Sequence, residues 1–282
     1  MKKILVPTDF SEVSGHALEF ARQLAERDNC QILLLNIIEH PSVSTFNSMG
    51  ITGYDPMENL YIKKMIDSVK VKMEDLRNSP EFSGIDIKTK VVVGNPFVEI
   101  TEDIVKTETD LVVMGTEGTE GMEELLVGSN AEKVIRTSQC PVLTIKSKTS
   151  IDDIKNIVFA SDFKSPGEGI VAYIKEMQSL FEAKLSLVTV NTPNNFTTTR
   201  QDFETMEEFA TSKGLENYTM DIYNDFQEED GIICFAQDIE ADMIAIGTHG
   251  RTGVFHFLSG SIAEDVANHS NRPVWTFRIE EK

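Results

Sequence analysis

The stretch KKILVPTDFS, from Lys2, returns as KNIVFASDFK from Lys155, so that Asp9 falls on Asp162. DLVVMGTEG from Asp110 returns as DMIAIGTHG from Asp242, and CPVLTIK from Cys140 as RPVWTFR from Arg272. A repeat of this kind constrains the fold more than any other feature: whatever one copy builds, the other builds again. Two copies make a two-domain pseudo-dimer rather than a solenoid, which needs more repeats to bury a continuous core. The polar stretch SKTSIDD separates the copies. The expected division is therefore a first domain at 1–146, a linker at 147–153 and a second domain at 154–282. A chain of 282 residues is long enough for each domain to bury its own core.

Within a copy, short apolar runs alternate with helical patterns. KILVPT reads as a strand, and SEVSGHALEFARQLAERD as an amphipathic helix with Val13, Ala17, Leu18, Ala21, Leu24 and Ala25 on one face. QILLLNII, IDIKTKVVV, DLVVMG and PVLTI read as further strands. Residues 57–77, PFVEITEDIVKTE and a segment from about Met122 to Thr137 read as helices. Strands apolar on both faces and joined by helices imply a parallel sheet covered on both sides. The expectation is α/β, with five strands per copy. The second copy is shorter because it lacks EHPSVSTFNSMGITGYDPMEN, between strands 2 and 3 of the first. That long loop is either a cap over a site at the strand ends or a surface insertion.

Composition narrows the function. A net charge of −20 argues against a nucleic-acid partner held through phosphates. Cys30, Cys140 and Cys234 are an odd, scattered set, which fits a reducing cytoplasm better than a disulfide framework or a cysteine zinc site. The amino-terminal apolar run is too short for a signal-peptide core, and no apolar run approaches a membrane span. The five histidines show no metal-ligand spacing, and no nucleophile has a readable partner, so neither catalytic nor metal-ligating residues are assigned. The acidic cluster QEEDG at 227–231 reads as a solvated helix start.

Ligands of open doubly wound sheets bind beyond the carboxyl ends of the strands, where strand order reverses. Two segments suit that place: the turn carrying Asp9 or Asp162, and the glycine loop after strand 4. In the second copy that loop is GTHGRTGVFHFLSGSIAE, with His249 and Arg251 as donors and Ser261 as a hydroxyl. Free backbone N–H groups and a helix dipole make such a loop suitable for phosphate. It is neither a P-loop nor a dinucleotide fingerprint. The first copy reads GTEGTEGMEELLVGS, with Glu117, Glu120, Glu123 and Glu124 and no base. Repulsion between one carboxylate and a phosphate charge about 8 Å away is roughly 2 kcal/mol at an effective dielectric near 20. Acids at the helix start also take the role of the anion.

The spacing Gly247-x2-Gly250-x9-Gly260-Ser261, the strings GTHGRTG and LSGSIAE, and ILVPTDFS resemble the universal stress protein family. Gly115-x2-Gly118-x9-Gly128-Ser129 fits the same signature, and the resemblance runs through nearly the whole chain as a tandem pair. It implies five parallel strands in order 3-2-1-4-5 with helices on both faces, ATP between the first and fourth strands, and pairing of two such domains through their closing strands. In the second copy it places the nucleotide on Asp162, Val190 at the adenine edge, Gly247, Gly250, Gly260 and Ser261, and the loop's own His249, Arg251 and Ile262 complete the candidate set. In the first it uses Asp9, Ile37, Gly115, Gly118, Gly128 and Ser129.

The expectation is a nucleotide-dependent stress-response regulator binding ATP, with or without Mg, mainly in the second domain. Protein partners are unspecified, an internal pseudo-dimer is expected, and a homodimer remains open. The alternatives are a nucleotide-free interaction scaffold and a slow ATPase.

Overall fold

A computed structural model of the chain describes residues 1–39, 56–116, 129–164, 168–249 and 259–279. The first copy runs β1 (Lys3–Pro7), α1 (Glu12–Asp28), β2 (Gln31–Ile38), α2 (Pro56–Arg77), β3 (Ile87–Val93), α3 (Pro96–Thr107), β4 (Leu111–Gly115), α4 (Ser129–Thr137) and β5 (Val142–Ile145). The second runs β6 (Asn156–Ala160), α5 (Glu168–Phe181), β7 (Lys184–Asn191), α6 (Thr199–Lys213), β8 (Tyr218–Asn224), α7 (Glu228–Asp238), β9 (Met243–His249), α8 (Ser259–His269) and β10 (Val274–Ile279). Short 3-10 turns occupy Pro80–Phe82 and Ile151–Asp153. The expected start of α4 near Met122 lies outside the described residues, as does most of the insertion after β2.

Helix ends follow local chemistry. Ser11 caps α1 by accepting from the Ser14 N–H, and Asn29 ends it in the left-handed conformation. Asn95 caps α3 ahead of Pro96, and Thr198 and Gln201 form a capping box on α6.

All ten strands form one sheet, in the order β3-β2-β1-β4-β5-β10-β9-β6-β7-β8. Each copy therefore has the order 3-2-1-4-5 counted within itself. Every pairing is parallel except β5 with β10, which is antiparallel. Alternation along each strand sends side chains to two cores. Ile4, Val6, Ile157 and Phe159 join one core, with residues of α1, α2, α5 and α6. Leu5, Val158 and Ala160 join the other, with α3, α4, α7 and α8. Each core runs through both copies. Since α1 and its counterpart α5 lie on the same face, the pseudo-dyad relating the copies is perpendicular to the sheet.

That dyad passes through the Leu143–Trp275 pair at the centre of the β5–β10 register. Around it Thr144 Oγ1 donates to the Val274 carbonyl at 3.3 Å, and Thr276 Oγ1 to the Val142 carbonyl at 3.2 Å. Trp275, expected in the core or at the contact between copies, is 2 % exposed and meets Phe181 edge-on at 6.0 Å. On the α4–α8 side, Asn268 Nδ2 donates to Glu132 at 2.9 Å and Lys146 Nζ donates to the Asn268 carbonyl. The segment between the copies is packed down at its end. Ile151 is buried, its N–H donates to Gln23 Oε1 of α1 at 2.9 Å, and Arg27 pairs with Asp152.

Candidate nucleotide site

The site grows from the turn after the first strand of each copy. In the first, the Thr8 N–H donates to the Leu35 carbonyl at 2.9 Å, and Asn36 Nδ2 donates to the Thr8 carbonyl at 2.8 Å. Phe10 N–H then donates back to Thr8 Oγ1 at 3.1 Å, and Ser11 N–H to Asp9 Oδ1 at 2.9 Å. In the second, Ser161 N–H donates to the Val188 carbonyl at 3.2 Å and Thr189 Oγ1 to the Ser161 carbonyl at 3.2 Å. Phe163 N–H donates to Ser161 Oγ at 3.1 Å, and Lys164 N–H to Asp162 Oδ1 at 3.2 Å. Phe10 and Phe163 both sit at positive φ, 64° and 55°. A left-handed conformation costs a non-glycine residue about 1–2 kcal/mol. Packing holds it: Lys72 lies 5.3 Å over the Phe10 ring, and Phe163 packs on Phe159 and Phe209. The same strained turn is thus built twice, and each time it leaves an aspartate exposed at the carboxyl end of the sheet.

In the first domain the end of β4 closes against this turn. A Cβ added to Gly115 would lie 2.8 Å from the Val13 carbonyl group and 2.9 Å from the Ser14 nitrogen, all backbone of α1. Only glycine allows that approach. Beside it opens a cavity of about 480 Å3, within the range of small-molecule sites. Its floor and one wall are Pro7, Thr8 and Asp9, the first turn of α1, and Met114, Gly115 and Thr116. Ile37 and Glu39 after β2, Pro96 and Ile100 of α3, and Asn130 and Ala131 of α4 complete it.

Of the residues expected in this copy, Asp9, Ile37 and Gly115 share one cavity. Ser129 opens α4 next to Asn130, while Gly118, Gly128 and the four loop glutamates lie outside the described residues. Burial raises the pKa of Asp9, but hydrogen bonds from the Ser11 side chain and backbone and from Ser14 outweigh it. The net shift is downward, so Asp9 is a carboxylate. Thr116 and Glu39 were missed in the sequence, although each adjoins or nearly adjoins an expected residue. Thr116 donates its N–H to the Ile145 carbonyl at 3.0 Å, and its buried Oγ1 has no hydrogen-bond partner among the described residues.

In the second domain Asp162 holds the matching turn, and Gly247 lies in β9 opposite Phe277. Val190 is buried, and a Cβ on Gly231 of α7 would meet its Cγ1 at 2.5 Å, so this glycine lets α7 pack closely over Val190. Thr192 Oγ1 donates to Glu228 at the start of α7 at 3.0 Å, which makes the acidic 227–231 segment a helix start as expected. His249 ends β9, Gly260 and Ser261 fall in the first turn of α8, and Ile262 packs half-buried against the second core. Gly250 and Arg251 lie outside the described residues. Among the described residues, no group of three or more His, Cys, Asp or Glu side chains is arranged to hold a metal ion. Among them, too, no helix is long and apolar enough to cross a membrane.

With this geometry, a family model described as the universal stress protein family matches residues 1–146 and again 153–278. The chain belongs to the universal stress protein family. It carries that family's domain in tandem. The universal stress protein MJ0577 of Methanocaldococcus jannaschii is 32 % identical over 157 residues, covering 53 % of this chain and 97 % of that protein. The universal stress protein Slr1230 of Synechocystis is 24 % identical over 293 residues, covering 99 % of this chain and all of that one (100 %). The crystal structure of a universal stress protein from Archaeoglobus fulgidus superposes with a TM-score of 0.76 at 23 % identity, covering 99 % of this chain and 98 % of that one. This last likeness extends the shared fold across both tandem domains.

Proposed function

We propose that this universal stress protein binds adenine nucleotide at the carboxyl ends of its first and fourth strands and acts as a nucleotide-dependent stress regulator. The fuller ATP site belongs to the second domain. The observation that carries the reading is the duplicated, strained aspartate turn, which in the first domain borders a ligand-sized cavity. Within the second domain, the loop sequence between Gly247 and Ser261 holds His249, Arg251 and His256 and no acid. It suits a triphosphate, with Mg as the accompanying ion. The first domain's loop sequence holds four glutamates and no base, which opposes a triphosphate. Among the described residues the cavity lining includes no lysine for phosphoryl transfer, and the sequence carries no P-loop lysine, so the reading is binding rather than turnover. The protein partner that reads the nucleotide state would dock on another surface than the closing strands, because β5 and β10 are already paired with each other. Any homodimer faces the same restriction.

The test is nucleotide stoichiometry. The protein is stripped of nucleotide and titrated with Mg-ATP by calorimetry. One site per chain is expected, abolished by Gly250→Val and kept in Gly118→Val. Two equal sites would refute the division between domains. No binding at millimolar ATP would make the chain an interaction scaffold.

A further inference from the structure

If the first-domain cavity is an adenine-ligand site, as proposed above, its walls are the wrong sign for a polyphosphate. Among the described residues, the side chains lining it include Asp9 and Glu39 and no lysine, arginine or histidine; Asp9 has its counterpart in Asp162, so Glu39 is the acid that sets this site apart. The chain as a whole adds charge of the same sign, −20. One carboxylate about 8 Å from a phosphate charge weakens binding roughly 30-fold at an effective dielectric near 20, and roughly twofold in bulk water. The remaining walls are those a neutral ligand needs. Ile37 and Met114 offer apolar surface to a flat ring, and the Thr8 and Ser14 hydroxyls, 3.1 Å apart, can accept, their protons being engaged with each other and with the Ser11 carbonyl. Thr116 is 2 % exposed, and its Oγ1 has no partner among the described residues. A buried hydroxyl without a partner keeps the cost of its lost water, and a ligand hydroxyl or ring nitrogen in this cavity would offset it.

We infer that the cavity of the first domain takes an uncharged purine nucleoside in preference to a nucleoside triphosphate, with the Thr116 hydroxyl as a contact to it. The two domains then read different ligands of one chemical family, one with its phosphates and one without. A nucleoside presents ribose hydroxyls to Thr8, Ser14 and Thr116 and brings no charge to Asp9 or Glu39.

The experiment uses the full chain, stripped of nucleotide and titrated calorimetrically with adenosine, AMP and ATP, each with and without Mg. Thr116→Val and Glu39→Gln are compared with the parent. Valine replaces the unpaired hydroxyl with a methyl of similar size, so the melting temperature of Thr116→Val should not fall. The expected result is a site that binds adenosine at least tenfold tighter than ATP, with AMP between them. Thr116→Val should weaken adenosine there by fivefold or more. Glu39→Gln should narrow the adenosine-to-ATP ratio severalfold. ATP binding as tightly as adenosine at the Thr116-sensitive site, with or without Mg, overturns the inference and leaves the nucleotide reading standing. So does adenine-ligand binding that is wholly indifferent to Thr116→Val. Failure of all three ligands to bind anywhere on the chain overturns the nucleotide reading itself.

Discussion

Asp242 accepts hydrogen bonds from the Lys155 and Asn156 backbone N–H groups at 2.9 and 2.8 Å, just as Asp110 accepts from Lys2 and Lys3 at 2.7 and 2.9 Å. Each aspartate precedes the fourth strand of its copy and pins the start of the first. The pair shows that the repeat conserves single contacts as well as the order of elements. Hydrogen bonds to a charged acceptor contribute about 1.5–3 kcal/mol each where water is excluded, and less at an edge such as this. Asp242→Ala is expected to lower unfolding free energy by roughly 1–3 kcal/mol in urea titration, and Asp242→Asn by less, because an amide oxygen still accepts. An unchanged midpoint in Asp242→Ala would mean that water replaces the carboxylate at no cost. Ser138 and Ser270 repeat the pattern at the entry to the closing strands, accepting from the Cys140 and Arg272 N–H groups at 3.2 and 3.0 Å.

At the scale of elements, the antiparallel β5–β10 pair turns two five-stranded sheets into one. Trp275 lies at its centre, opposite Leu143 and against Phe181. Removing a large buried aromatic costs roughly 3–5 kcal/mol through lost transfer energy and the cavity left behind. Trp275→Ala is expected to lose that much and to unfold both domains in one transition, followed by calorimetry. Two separate transitions in the variant would show that the seam alone couples the copies. Most of this architecture was legible beforehand, because the runs ILVP of β1 and IVFA of β6 are apolar at consecutive positions, the mark of strands buried on both faces. The alternation of those runs with amphipathic helices then left little freedom in topology. The site was legible at Asp9, Ile37 and Gly115, which the repeat and the family signature mark, and at Gly115 the residue type is also chemically forced, because a backbone approaches too closely for a Cβ. Glu39 and Thr116 carry no spacing signature. They enter the cavity because β1, β2 and β4 end side by side, a convergence that local sequence does not encode. Gly231 is similar: its reason lies in Val190, on another element.

For the whole molecule, the antiparallel seam has a geometric result. The carboxyl ends of β1 and β4 point to one edge of the sheet and those of β6 and β9 to the opposite edge, so the two candidate sites do not share a mouth. Communication between them has to pass through the sheet or through the α4–α8 contact, where Lys146 is half-buried. Burial pushes its amine down to about 8, against roughly 10.4 in an unfolded chain. Below pH 8 both states are protonated and the folded state carries the full penalty. Between about pH 8 and 10.4 the unfolded state binds more protons, so this group makes stability rise with pH, by up to about 3 kcal/mol. Lys146→Met is expected to be more stable than the parent at pH 7, with that difference shrinking as pH is raised to 10. The difference must be read between variant and parent, because the Met1 amino group titrates in the same window. Its hydrogen bond to Glu176 raises it to about 10, and its contribution has the opposite sign. A variant-minus-parent difference that is constant from pH 7 to 10 would place the Lys146 amine in water.

Leu143 facing Trp275 is an unequal pair on a pseudo-dyad, and a dimer of identical subunits cannot contain one. In such a dimer the residue on the axis meets itself, and every mutation is written twice, once in each subunit. A single chain that carries both copies is free of that obligation. A change in one half is not written into the other, so an acidic loop in the first half and a loop holding His249, Arg251 and His256 in the second can stand in one molecule.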